Sequence, residues 1–158
     1  LHEWTTLPAE AVNAIVKAKL ALVGLEGTSE KLPSELSGGM KKRAAIARAM
    51  AFEPNLIFLD EPSAGLDPVS AAELDELIAA LNRGIGLTVV MVTHLLSNVA
   101  NYAARIAIIA GERLEVGPRD EMLTEARLSA LYGMPVLIDR LGERIAILPG
   151  NGAPAGSL

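Results

Sequence analysis

Leu36-Ser37-Gly38-Gly39-Met40-Lys41-Lys42-Arg43 places a serine and a glycine pair directly ahead of a basic amphipathic run. The first N–H groups of a helix have no intrahelical acceptor, and the helix dipole favours an anion there. A helix opening at Ser37 could therefore hold a phosphate, with Gly38 and Gly39 letting it approach the backbone and the serine hydroxyl adding a donor. An ordinary serine N-cap accounts for the same residues equally well. About a dozen residues on, Leu56-Ile57-Phe58-Leu59-Asp60-Glu61-Pro62 is an apolar run that ends in two adjacent carboxylates. Neighbouring carboxylates repel, and Mg2+ is a common compensating cation where phosphates are present; one of the pair could also activate water. The bland alternative is a solvated acidic turn, against which the constrained stretch Pro62-Ser63-Ala64-Gly65-Leu66-Asp67-Pro68 argues. An anion-holding helix start and a cation-holding strand end together point to nucleoside triphosphate chemistry.

Two further positions carry weaker signals. His94 follows an apolar run, at the edge where α/β sheets place their ligands, although a lone histidine is more often structural. Asp67-Pro68 reads as an N-cap and first-turn proline, which leaves room for a second role. Lys41, Lys42, Arg43 and Arg48 read as a solvated helix face, and His2 carries no information.

The elements that must position these residues follow from periodicity. Val12, Ile15, Val16, Leu20 and Val23 form a helical stripe over Pro8–Val23, with Gly24 as its C-cap. Met40, Ala44, Ala47 and Ala51 mark one face of a helix from Gly39 to Phe52, which Pro54 stops. Leu56–Leu59 and Leu87–Val92 are continuous apolar strands of the kind a parallel sheet covers on both faces. Leu74, Leu77, Ile78 and Leu81 lie at helical spacing over Pro68–Arg83. A short helix at Leu96–Ala103, a strand at Ile106–Ala110 and a hairpin turn at Gly111-Glu112-Arg113 into Leu114–Val116 follow. Helical turns over Arg119–Thr124 and Ala126–Tyr132 and a hairpin of Val136–Asp139 with Arg144–Leu148 complete the order. Alternation of strand and helix predicts an α/β fold with a mainly parallel sheet. The Gly-, Ala- and Pro-rich tail at 149–158 is expected to be disordered.

Bulk composition narrows the function classes. With 158 residues, 51% hydrophobic and 3% aromatic, the chain can build one aliphatic core. A net charge of −5 argues against a general nucleic-acid binder, and the lack of cysteine excludes disulfides and thiolate metal sites. No apolar run reaches the roughly 20 residues that cross a bilayer, so any membrane role is expected to come through a partner.

Taken in order, Leu36–Met40 resembles the signature motif of ABC-type ATPases, Leu56–Glu61 their Walker B strand, Ser63–Asp67 their D-loop, and Val92-Thr93-His94 their switch histidine. The resemblance implies a P-loop NTPase-like ABC ATPase fold that binds ATP and Mg2+. It implies that Asp60 holds Mg2+ through water, Glu61 is the general base, and His94 contacts the γ-phosphate. It further implies that Ser37, Gly38 and Gly39 contact the nucleotide bound by a second ATPase subunit of a homodimer, with Asp67 across that interface. The expected partners are membrane permease subunits, with a substrate-binding protein as a further one and no nucleic acid. The expected location is peripheral, on the cytoplasmic face of the inner membrane.

The family's P-loop pattern, Gly-x-x-x-x-Gly-Lys-Ser/Thr, occurs nowhere in the chain. The sequence accordingly reads as the C-terminal part of such a subunit, with the N-terminal portion missing and no tight ATP binding or hydrolysis of its own. Its expected layout is part of a helical subdomain with the signature motif at 1–53, the Walker B, D-loop and switch-histidine part of the core at 54–125, and a C-terminal extension at 126–148. Met40-Lys41-Lys42-Arg43 is similar to the lipid-asymmetry and organic-solvent-tolerance branch, which implies a phospholipid or other hydrophobic cargo. Leu128–Val136 is similar instead to the ends of metal-chelate and cobalamin importer ATPases. A non-transport ABC ATPase is the third reading.

Overall fold

The computed structural model describes residues 5–142 and 144–150. They fall into two compact units that meet in sequence between Val92 and Thr93.

In the first unit, α1 (Ala9–Leu22) ends where Gly24 takes a φ of 69°. That left-handed residue lets Gly24 N–H donate to the Ala21 carbonyl and Leu25 N–H to the Leu20 carbonyl, which closes the orphan carbonyls of the last turn. Helix α2 (Gly38–Ala49) runs into a 3₁₀ turn at Met50–Phe52, and Glu53 then reverses the chain at φ 53°. Ile46 and Ala47 of α2 and Met50 of the 3₁₀ turn are buried, with Met40 and Ala44 of the expected stripe half-buried against the same core. Strand β1 (Leu56–Asp60) pairs in parallel with β2 (Thr88–Val92), from Leu56 beside Thr88 to Asp60 beside Val92. The crossover is α3 (Pro68–Ile85), ended by Gly86 at φ 67°.

The core of this unit lies under one face of the strand pair. Ile57, with Leu59 and Val89, packs against Leu74, Ile78 and Leu81 of α3, Ile46 and Met50 near α2, and Val23 and Leu25 after α1. Because side chains alternate along a strand, the opposite face carries Leu56, Phe58, Val90 and Val92. All four are exposed, Phe58 by 73% and Val92 by 60%. The continuous apolar runs therefore meet protein on one face only.

The parallel pairing that the alternation predicts is realised between β1 and β2. In the second unit, β3 (Arg105–Ala110) is paired antiparallel with β4 (Arg113–Pro118), because the turn at Gly111, with φ 60°, folds the chain straight back. Helices α4 (Leu96–Tyr102), α5 (Arg119–Met122) and α6 (Glu125–Tyr132) surround the buried Ala100, Ile106, Met122 and Leu128. Strands β5 (Val136–Leu141) and β6 (Arg144–Pro149) form the expected hairpin. Asn101 fastens it to α4: its amide donates to the Ile145 carbonyl at 3.1 Å and accepts from Ile145 N–H at 2.8 Å, as a strand backbone would. Of the tail expected at 149–158, residues 151–158 lie outside the described residues, and Pro149 closes β6 opposite Val136.

Leu74 is 1% exposed, and Leu74→Ala should cost about 2–5 kcal/mol in denaturant unfolding. The uncovered sheet face makes a second expectation for the 158-residue chain by itself. It should self-associate with rising concentration, and Phe58→Lys should reduce the light scattering without lowering the unfolding midpoint.

Candidate functional site

Asp60 ends β1 with its side chain on the exposed sheet face, and Glu61 steps out of the strand at φ 43°. A left-handed backbone costs a non-glycine residue about 1–2 kcal/mol and persists only where its surroundings over-determine it. Here they do. Glu61 N–H donates to the Val92 carbonyl at 2.9 Å, one residue beyond the β1–β2 ladder. The Glu61 carbonyl accepts from Ala64 N–H at 3.1 Å and from Lys42 Nζ at 3.4 Å.

The loop after Glu61 folds inward before it turns out. Pro62 and Ser63 are buried, and Ser63 Oγ donates to Asp75 Oδ1 at 2.8 Å. Leu66 N–H returns to the Ser63 carbonyl, and Gly65 at φ 77° makes that return possible. Asp67 then caps α3, accepting from Val69 N–H at 3.1 Å and Ser70 N–H at 3.0 Å. The N-cap reading of Asp67-Pro68 is thus what the structure contains. Hydrogen bonds from the Ser70 side chain first, then from the Ser70 and Val69 backbones, hold the Asp67 carboxyl below its ordinary value of 3.8.

Ser37 caps α2, its Oγ accepting from Met40 N–H at 3.3 Å. Gly38 and Gly39 occupy the first turn, and neither has the positive φ that would demand glycine. A Cβ on Gly38 would stand 3.5 Å from Leu66 Cδ2, and one on Gly39 3.8 Å from Ser70 Cβ, both ordinary contacts. Neither crowding nor backbone strain therefore explains the pair, although glycine inside a helix costs about 0.5–1 kcal/mol relative to alanine. The absence of side chains leaves the N-terminal amides open to close approach. For the cation, no group of three or more His, Cys, Asp or Glu that could hold a metal occurs among the described residues. Asp60 and Glu61 are the adjacent carboxylates at the strand end, and one or two carboxylates are what Mg2+ takes from a protein when phosphate and water complete its shell.

The basic run after the glycines departs from the solvated face expected of it. Lys41 and Arg48 are exposed, but Lys42 and Arg43 are half-buried. Lys42 reaches the Glu61 carbonyl, and Arg43 pairs with Glu73 of α3 at 2.7 Å. A Cβ on Gly24 would come within 3.3 Å of Arg43 Nη1. Helix packing turns both side chains inward, so α2 is pinned to the acidic strand end and to α3 by its own charges. Within the first unit the structure thus ties Ser37, Gly38, Gly39, Asp60, Glu61 and Asp67 to one connected set of elements. His94 is exposed, two residues past β2, and belongs to the second unit.

Asp75 is the residue that sequence reasoning passed over. It is 5% exposed, as is Ser63. Burial raises its carboxyl above 3.8, and the Ser63 hydrogen bond opposes that. A signal existed: Asp75 precedes the buried Ile78 and Ala79 by three and four residues, on the inner face of α3.

Because folding favours ionised Asp67, its contribution is complete above pH 3.8 and is lost as pH falls through the lower folded value. Asp67→Ala should therefore lower the melting temperature at neutral pH, and the gap from the parent should shrink as melts are taken below pH 3.8.

The sequence model of the ABC transporter family matches residues 3–64. The intermembrane phospholipid transport system ATP-binding protein MlaF of Escherichia coli (strain K12) is 46% identical over 114 residues, covering 72% of this chain and 42% of its own length. A probable ribonucleotide transport ATP-binding protein, mkl of Mycobacterium tuberculosis (strain ATCC 25618 / H37Rv), is 42% identical over 125 residues, covering 78% of this chain and 35% of its own. Among solved structures, an ABC transporter assigned to the metal-chelate type, in an inward-facing conformation, superposes with a TM-score of 0.82 at 25% identity, covering 92% of this chain and 59% of that one. The chain spans less than half the length of these two curated relatives.

Proposed function

The chain belongs to the ABC transporter ATPase family, and from that premise we propose that the whole protein is the ATP-hydrolysing subunit of a transporter that works as a dimer beneath membrane permease subunits. The observation that carries the reading is the held geometry of Glu61: a carboxylate just past the end of a parallel strand, its backbone fixed from β2, from its own loop and from α2. In this reading Asp60 holds Mg2+ through water, and Glu61 orients and deprotonates the attacking water. His94 contacts the γ-phosphate. Ser37, Gly38 and Gly39 offer their helix-start donors to the nucleotide of the opposite subunit, and Asp67 lies across that interface. ATP bound between the subunits supplies the phosphoryl group. The protein's own part is positioning and charge compensation, which is most of what phosphoryl transfer requires.

No helix among the described residues is long and apolar enough to cross a membrane. A peripheral place on the cytoplasmic face of the inner membrane, reached through the permease, fits that observation. For cargo we favour a phospholipid or another hydrophobic molecule, on the likeness to the phospholipid transport ATPase. A metal chelate is the second reading, favoured by the structural likeness to the metal-chelate type transporter. Reconstitution with the permease separates them, since only the true cargo should stimulate ATP turnover.

Glu61→Gln in the complete subunit should lower ATP turnover by about 10²–10⁴-fold while leaving an ATP-bound dimer visible by size-exclusion chromatography. Near-normal turnover would remove Glu61 from the role of base. Ser37→Arg should abolish the ATP-dependent dimer by bulk and charge, and a dimer that survived it would break the cross-subunit contact.

A further inference from the structure

We infer that Asp75, acting through Ser63, is a positioning residue for the reaction: it locks the loop that carries Glu61 into the one conformation in which that carboxylate can serve as base. The inference rests on the functional reading above and adds to it a residue two turns inside a helix.

The argument begins with the loop. Between Glu61 and Asp67 the chain leaves a strand in a left-handed step and re-enters a helix six residues later. Both ends are held, at Glu61 by Val92 and at Asp67 by the cap of α3. The middle hangs on Ser63. Its carbonyl accepts from Leu66 N–H, and its hydroxyl donates to Asp75. Because Asp67 caps α3 and Asp75 lies on that same helix, the Ser63–Asp75 bond closes a ring of strand end, loop and helix. Removing it would loosen the loop between its two anchors, where the Ala64–Glu61 and Leu66–Ser63 backbone bonds remain.

Burial makes the contact costly unless it is needed. A carboxylate on the inner face of a helix is disfavoured by desolvation, and the positions beside it, Leu74 and Ile78, are the apolar residues that a helix packs there. An aliphatic residue at 75 would serve the core without that cost. What it could not do is accept the Ser63 hydroxyl. The hydrogen bond of Asp75 runs to Ser63 in the loop, and its influence on Glu61 is through that loop.

The test uses the complete subunit. Asp75→Ala and Ser63→Ala should each lower kcat, counted per titrated nucleotide site, by at least about tenfold while KM for Mg-ATP stays within about twofold, because the groups assigned to nucleotide binding are untouched. The double variant should be no slower than the worse single, as expected of two partners in one contact. Asp75→Asn keeps an oxygen for the Ser63 hydroxyl and should recover most of the loss, which a merely structural defect corrected by neither charge nor volume would not. Amide hydrogen exchange across 62–67 should speed up in both alanine variants and return toward the parent rate in Asp75→Asn. Alanine variants with parental kcat and parental exchange overturn the inference. Should the alanine variants not fold, Asp75→Asn and Ser63→Thr still decide it: parental exchange and kcat support the bond, and loss of either in both variants overturns it. A parent subunit that hydrolyses no ATP would sink the functional reading, and the exchange rates would then judge Asp75 alone.

Discussion

The hydrogen bond from Glu61 N–H to the Val92 carbonyl carries the parallel pairing of β1 and β2 one residue past the end of the ladder. It anchors the carboxylate at the strand end in a left-handed backbone that glutamate does not adopt readily. The neighbouring features make sense as consequences. The core under Ile57 and Leu59 fixes the strand. Pro62 and Ser63 bury the first half of the following loop, and the cap at Asp67 ends it. The backbone that carries this carboxylate is held by hydrogen bonds at both its N–H and its carbonyl.

Charge is deployed with the same economy. Lys42 and Arg43 sit in the run that follows the glycine pair, where an anion-binding role would be the first guess. They turn inward instead, to the Glu61 carbonyl and to Glu73. The consequence is mechanical: the helix that presents Ser37 and the strand end that presents Asp60 are tied by side chains of the helix itself. The exposed apolar face of Phe58, Val90 and Val92 sits oddly with strands that are apolar throughout, and marks where the sequence is written for burial that these residues do not supply to one another.

The linear sequence by itself determined the elements and their order. Aliphatic periodicity and turn residues together marked the α-helices and strands to within about three residues, because the spacing of apolar residues follows the period of each element. It also determined which residues could do chemistry, since two carboxylates after an apolar strand and a serine-glycine helix start are local patterns. Tertiary structure decided what those residues touch. That Lys42 faces Glu61 depended on how α2 packs. Helical spacing placed Asp75 on an inner face, but its partner was not legible, because Ser63 is twelve positions away in sequence and 2.8 Å away in space. Pairings across such a gap are set by the path of the loop between them, which no periodicity encodes.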